Sequence, residues 1–399
     1  MLAEGTFGTA GRLKGGPEPS KATNVMTTSL PDQSLGPEWT VLELLARGIV
    51  DDSERQLVSD LLVSDTINWG ELLEQALRHK MVPMLAHHVI SAGLRFDVPT
   101  SIYLHLESAL EWNRCQIEVF RGETVRVAQG LAGRGIRFVV TKGMTFESTL
   151  YGSLGTRHMN DIDFMIAPQD REAVMSAMQE LGFRPFFEWA KDPRREEISS
   201  RLNRDHLPKL AREIDQPGTR IINLDVANSL TWTKSPFDVP VEEALENSVE
   251  QPVPGMPGVS IPCFRPKSQF LFTVLHLFRE AWLQKFVDFG SDVGLMKFGD
   301  VIRLIDRDRA ELTDGELLRT MESHRVIDAV AWVLRRLDET FHTRTLEMLA
   351  LEKRGDEKLL ASQMQSSGYV RTSGQSMRER LQSKTRGSLR PAVPAQSGS

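Results

Sequence analysis

The chain has 399 residues, 40% hydrophobic and 26% charged, with a formal net charge of -6 at pH 7. That is ordinary soluble globular composition, long enough for two or three domains or for one domain with additions. Mild acidity argues against a general polyanion binder, which needs an excess of lysine and arginine, but leaves room for a small triphosphate held by local cations.

Residues 1–38 are rich in Gly, Pro, Ser and Thr and predict a disordered tail. Their start, "MLAEGTFGTAGRLKGGPEPS", lacks the apolar centre of a secretory signal. No apolar run approaches the roughly 20 residues that a membrane span requires. Cys115 and Cys263 stand far apart without a partner motif, which gives neither a disulfide framework nor a zinc cluster. A cytoplasmic protein with no membrane contact is expected.

From Trp39 the texture changes. "WTVLELLARGI", "SERQLVSDLLV" and "NWGELLEQALRHKMVPMLAHHVISAG" repeat apolar residues at three- and four-residue spacing, and a long helix is predicted from about 102 to 131. Residues 39–132 thus form an N-terminal helical region. The period then switches. "GIRFVVTKG" reads as a buried strand, "MTFESTLYG" as a short helix and "DIDFMIAP" as a second strand. A helix with acidic residues in its first turn follows, "PQDREAVMSAMQELGF". "RPFFEWA" and "TRIINLDVANSL" predict further strands, separated by the charged stretch 191–213, read as a solvated face with a lid as the lesser alternative. Residues 133–234 are the expected α/β core. After the Pro-rich loop "QPVPGMPGVSIP", helices return at 267–288, 292–306 and 314–345, giving a C-terminal helical region over 235–350. From 351 to 399, nine Lys/Arg stand against four Asp/Glu among many Ser, Gln and Gly, the composition of a basic, mostly disordered tail.

The chemistry concentrates in "VVTKG" and "RHMNDIDFMIAP". Side chains two apart on a strand share a face, so Asp161 and Asp163 stand side by side in spite of their repulsion. Residues so placed are about 6.6–6.8 Å apart along the backbone, and carboxylates leaning inward from them suit divalent ions about 3.5–4 Å apart. Magnesium takes carboxylate and phosphate oxygens and keeps waters, so few protein ligands suffice. Gly143 permits a sharp turn and close approach of a ligand, the helix after it points amides at the turn, and Lys142 adds a point charge for a phosphate oxygen. A third carboxylate, Asp225, lies in the strand-like "RIINLDVANSL".

These segments, "VVTKGMTFESTLYGSLGTRHMNDIDFMI" with "INWGELLEQALRHKMVPML" before and "VLHLFREAWLQKF" and "LMKFGDVIRLI" after, resemble the uncharacterised nucleotidyltransferase-like family of bacteria over most of residues 39–345. The resemblance implies an α+β fold, a small mixed β-sheet nucleotidyltransferase core of the polymerase-β-like kind flanked by N- and C-terminal helical regions. It implies magnesium-dependent transfer of a nucleoside monophosphate from a nucleoside triphosphate to a hydroxyl or amine of a small molecule, peptide or protein. Asp161, Asp163 and Asp225 would be catalytic and metal-holding, with two Mg2+ expected and Mn2+ the alternative. Lys142, Gly143, Thr145 and Arg157 would contact the nucleotide, with ATP the expected triphosphate. No nucleic-acid partner is indicated.

Two departures bear on this. Met144 follows the motif glycine where the wider superfamily usually has Ser, and Ala227 takes the place of a His after the third acid. They keep open a non-catalytic nucleotide-binding or antitoxin-like partner with a degenerate fold; transfer of a phosphoryl or glycosyl group at the same site is a further alternative. Of the remaining polar residues, Arg157 has a bland alternative as a salt bridge to Asp161 or Asp163. His276 reads as a core histidine, and Asp300, near Lys297 and Arg303, as a helix-packing ion pair.

Overall fold

Helix starts in the N-terminal region follow the caps that the sequence supplies. In the computed structural model, α1 (Pro37–Arg47) opens on a proline, whose fixed φ and missing N–H suit a first turn. Asp51 accepts the Glu54 N–H at 2.9 Å to start α2 (Asp52–Val63), and Asn68 accepts that of Glu71 at 3.1 Å to start α3 (Trp69–Arg78). The structure describes residues 36–186 and 205–383, apart from 217–218, 233–234, 236, 238, 284–285, 287–292, 365–369 and 373–375. After α4 (Val82–Ser91) comes α5 (Thr100–Ala132), long enough to serve two cores. Tyr103, Leu106 and Leu110 join the helical core, whereas Phe120, Val127 and Leu131 pack beneath the sheet.

The core unit runs β1 (Phe138–Thr141), α6 (Gly143–Thr149), β2 (Ile162–Ile166), α7 (Arg171–Glu180), β3 (Arg184–Pro185), β4 (Leu210–Gln216), β5 (Thr219–Ala227), α8 (Val241–Glu246), β6 (Val249–Pro252) and β7 (Ser260–Cys263). Among the described residues these strands make one sheet in the order β3-β4-β5-β2-β1-β7-β6. β1 pairs antiparallel with β2, but β2 runs parallel to β5 and β1 to β7, so the sheet is mixed and the protein α+β. The strand period decides which core each side chain joins. Phe138, Val140, Phe164, Ile166 and Val226 face α5 and α7, whereas Val139, Met165 and Ala227 face the other helices. Those residues join one helical core with α8 and with α9 (Pro266–Trp282), α10 (Leu295–Leu312), α11 (Glu316–Ser323) and α12 (Ile327–Phe341). No described helix is long and apolar enough to cross a membrane.

The strands expected within 135–143, 161–168 and 219–230 are present as β1, β2 and β5, and so is the long helix. β4 occupies part of the stretch read as a solvated face, and β6 and β7 flank the Pro-rich loop read as irregular. Residues 351–383, read as tail, carry α13 (Glu357–Leu360), a hairpin of β8 (Ser362–Met364) and β9 (Val370–Thr372), and α14 (Met377–Gln382). Leu351, Leu360, Met377 and Leu381 are buried, and Arg78 donates to the Leu381 carbonyl at 2.5 Å. The rest of both predicted tails, 1–35 and 384–399, and 191–204 of the charged stretch lie outside the described residues.

Candidate active site

Strand register assembles the site. In the parallel β2–β5 pair Asp163 stands opposite Asp225, and Asp161, two residues earlier, shares the face of Asp163. Paired strands lie about 4.8 Å apart, so the Asp163 and Asp225 side chains are lateral neighbours. On the other side of Asp163, β1 ends at its partner Thr141 and the chain turns through Lys142, at φ +46°, into α6. Gly143 leaves no space for a side chain: a Cβ there would lie 2.7 Å from Met159 Sδ and 3.3 Å from Arg157 Nη1. A cavity of about 390 Å³ opens over these residues and brings Asp161, Asp163, Asp225, Lys142, Gly143 and Arg157 onto one lining.

The walls come from all parts of the chain. His276 and Glu280 project from α9, Lys297 and Asp300 from α10, and Lys80 from the corner between α3 and α4. His276 therefore lies at the cavity wall rather than in the core, its Nδ1 3.3 Å from Glu280, whose carboxylate also accepts from Lys297 at 2.8 Å. Asp300 is an ion-pair residue as expected, but its partner is Arg157 and not a neighbour on its own helix. Arg157 Nε and Nη2 grip both Asp300 oxygens at 3.1 and 2.8 Å, and Tyr151 donates to the same carboxylate at 2.7 Å. Arg157 is not paired with Asp161 or Asp163. Thr145 is left off the cavity lining: it is buried, and its hydroxyl donates to the Lys142 carbonyl at 2.9 Å.

Crowded carboxylates set the electrostatics. Burial pushes the Asp163 carboxyl up to about 6; the Lys142 ammonium opposes this, and Asp161 and Asp225 add to it. Burial also works against the charged form of Asp225, but His206, Lys142, His276 and Lys209 overcome it and hold its pKa below the ordinary carboxylate range. The Lys142 ammonium, penalised by burial, is held above its usual value by Asp163, Asp225 and Glu280. Lys142 donates to Asp163 at 3.0 Å and Lys209 lies 3.5 Å from Asp161.

His206 has no signal in the sequence beyond its place in a charged stretch. An antiparallel bridge to Ala227 carries it to the site, where Nε2 lies 3.9 Å from Asp225 Oδ1 and Nδ1 3.1 Å from Asp205. Arg279 reaches the same Asp205 carboxylate at 3.1 Å.

Among the described residues, no three His, Cys, Asp or Glu side chains are gathered as one ion-holding group. The donor set nevertheless fits a hard divalent cation: neighbouring carboxylates on one face, bordering a cavity, where Asp161 and Asp225 add to the upward shift that burial gives Asp163. Lysine ammoniums now supply the positive charge that such a set attracts.

A mixed sheet that places neighbouring aspartates beside a Lys-Gly turn under a helical cover is the arrangement that the sequence reading expects of a nucleotidyl-transferring protein. Residues 65–342 match the model of a family described as uncharacterised nucleotidyltransferase, and the chain belongs to that family. No curated protein matches the chain.

Proposed function

We propose that the protein is a magnesium-dependent nucleotidyltransferase that moves a nucleoside monophosphate from a triphosphate, ATP in the first instance, to a hydroxyl or amine acceptor. The observation that carries this reading is the register of β2 on β5, which sets Asp225 beside Asp163 and next to the Lys142-Gly143 turn. Lys142, released from Asp163, and Arg157, through the nitrogen it keeps beside Gly143, contact the phosphates. Asp225 accepts the acceptor's proton as the bond from acceptor to α-phosphorus forms and the bond to pyrophosphate breaks. Divalent ions held by Asp161, Asp163 and Asp225 would supply Lewis-acid stabilisation of the developing charge. Positioning of the two substrates and the fixed charges of the cavity provide the remainder of the rate.

Labelled triphosphates incubated with the protein and a cell extract test this, read as label transfer to a new mass and as pyrophosphate release. Asp163→Asn is expected to reduce transfer by about 10²–10³-fold, the loss of several kcal/mol of charge stabilisation. Full transfer by that variant removes Asp163 from the machinery. One observation favours the second reading, a nucleotide binder without turnover: Asp161 and Asp163 are each already paired with a lysine. Magnesium-dependent nucleotide binding without pyrophosphate release supports that alternative.

A further inference from the structure

The cations of the cavity differ in how they are compensated. Lys142 pairs with Asp163 at 3.0 Å, Arg157 with Asp300 at 2.8 Å and Lys297 with Glu280 at 2.8 Å. Arg78 is turned to the backbone carbonyls of Leu381 and Ser383. Lys80 lines the same cavity, and among the described residues its ammonium has no hydrogen bond and no carboxylate within 4.0 Å. Its surroundings are hostile to a cation. Burial lowers its pKa, and the charges of Lys297 and Arg157 act in the same direction, with Asp161 and Glu280 opposing only from a distance.

Its backbone is also unfavourable. Lys80 sits at φ +61°, in the left-handed region, where the chain turns from α3 into α4. A long β-carbon-bearing residue gains nothing there over asparagine or glycine. Lys80 is half-buried at the cavity wall, and an ammonium partly withdrawn from water without a carboxylate beside it costs the resting protein free energy. Such a placement is explained when an anion enters the cavity and becomes the missing partner.

We propose that Lys80 forms a second anion subsite of this cavity, contributed by the N-terminal helical region, which receives the terminal phosphate of the triphosphate. The proposal rests on the nucleotidyltransferase reading for the identity of the ligand, but the subsite itself rests on the uncompensated ammonium. Lys297 and Arg157, already held by their own carboxylates, border the subsite and add positive potential, whereas Lys80 has no carboxylate of its own. The N-terminal helices thus take part in binding as well as in packing.

Inorganic tripolyphosphate with magnesium, titrated calorimetrically into the full-length protein, tests the subsite without needing the base or the acceptor. Lys80→Asn removes the charge with a residue that tolerates left-handed backbone, and Lys80→Arg keeps the charge. We expect Lys80→Asn to bind tripolyphosphate about tenfold or more weakly and Lys80→Arg to stay within about threefold of wild type, in line with the loss of one charge-assisted contact. We also expect the ligand-free Lys80→Asn protein to melt at or above the wild-type temperature. A merely structural lysine gives the reverse, a lower melting temperature with unchanged affinity, and overturns the proposal. Absence of tripolyphosphate binding by wild type overturns it too. Unchanged tripolyphosphate affinity in Lys80→Asn, with a raised KM for the acceptor, assigns the subsite to an acceptor phosphate and overturns the assignment made here. Failure of nucleotide transfer leaves the calorimetric result standing, so the two readings fail separately.

Discussion

Glu147 shows how a single side chain prepares the site from a distance. Its buried carboxylate accepts the N–H of Gly155 at 2.7 Å and of Arg157 at 3.1 Å, which fixes the loop that delivers Arg157 to the cavity. Burial pushes its pKa from 4.5 up to about 7, against the two backbone bonds and the nearby Arg157 charge. The folded protein therefore holds this proton more tightly than the unfolded chain. The contribution of Glu147 to stability is most favourable below pH 4.5 and declines as pH rises through about 7, beyond which it is constant. Glu147→Gln cannot ionise. It keeps one acceptor and loses the other, a fixed cost of about 1–3 kcal/mol for the N–H left behind. Wild type should lose up to about 3 kcal/mol relative to this variant between pH 4.5 and 7, read from paired denaturation curves across that range. Parallel pH profiles of the two proteins would remove the claim. At this scale the sequence identified the residues with a plain chemical reason to be together, Asp161, Asp163, Lys142 and Gly143. It did not mark Glu147 or His206, whose importance comes from contacts made only after folding.

Among elements, α1 and α10 approach each other closely at Gly299. A Cβ at Gly299 would lie 2.3 Å from the Ala46 carbonyl oxygen and 3.1 Å from its carbon, so the two helix backbones touch and neither can yield by a rotamer change. Gly299→Ala should destabilise the protein by about 1–3 kcal/mol, although alanine is the better helix former by about 1 kcal/mol. Chemical denaturation decides the sign, and a stabilised variant would show that the helices are free to separate. The same scale explains which elements were legible. β1 and β2 carry apolar runs largely buried on both faces, β5 buries Ile222, Leu224 and Val226 at every second position, and the period switch at residue 135 announces them. β4, "LAREIDQ", is charged toward its far end, and the prolines of β6 and β7 resemble loop punctuation; in β6 proline is tolerated because that strand lies at the sheet edge. Composition averaged over 351–399 hides the few apolar anchors, Leu351, Leu360, Met377 and Leu381, that hold 351–383 to the helices. The pairing of Asp163 with Asp225 is a long-range register, and no local pattern encodes it.

At the scale of the molecule, the Arg157–Asp300 pair ties the sheet unit to the C-terminal helices across one wall of the cavity, with both side chains at most 9% exposed. Burial disfavours the Arg157 guanidinium, but Asp300 outweighs this and holds its pKa above the usual value; Tyr151 is held in its neutral form by burial and by the same carboxylate. Breaking the pair from one side strands a charge. Arg157→Leu and Asp300→Leu should each cost about 3–5 kcal/mol, whereas the double substitution should cost clearly less than their sum, because it removes both charges together. A denaturation double-mutant cycle measures this coupling, and additive losses would mean that the pair is not the tie. The cycle also separates architecture from recognition. Arg157 keeps Nη1 beside Gly143, 3.3 Å from the position a Cβ would take there, while its other two nitrogens bond Asp300. In the double variant the tie is replaced by apolar contact and stability returns in part, but the cation at the turn does not. Tripolyphosphate affinity should therefore stay low in the double variant, about tenfold or more below wild type, even where its stability exceeds that of either single substitution. Recovery of affinity together with stability would make Arg157 a structural residue alone, and the phosphate role at the turn would then fall to Lys142.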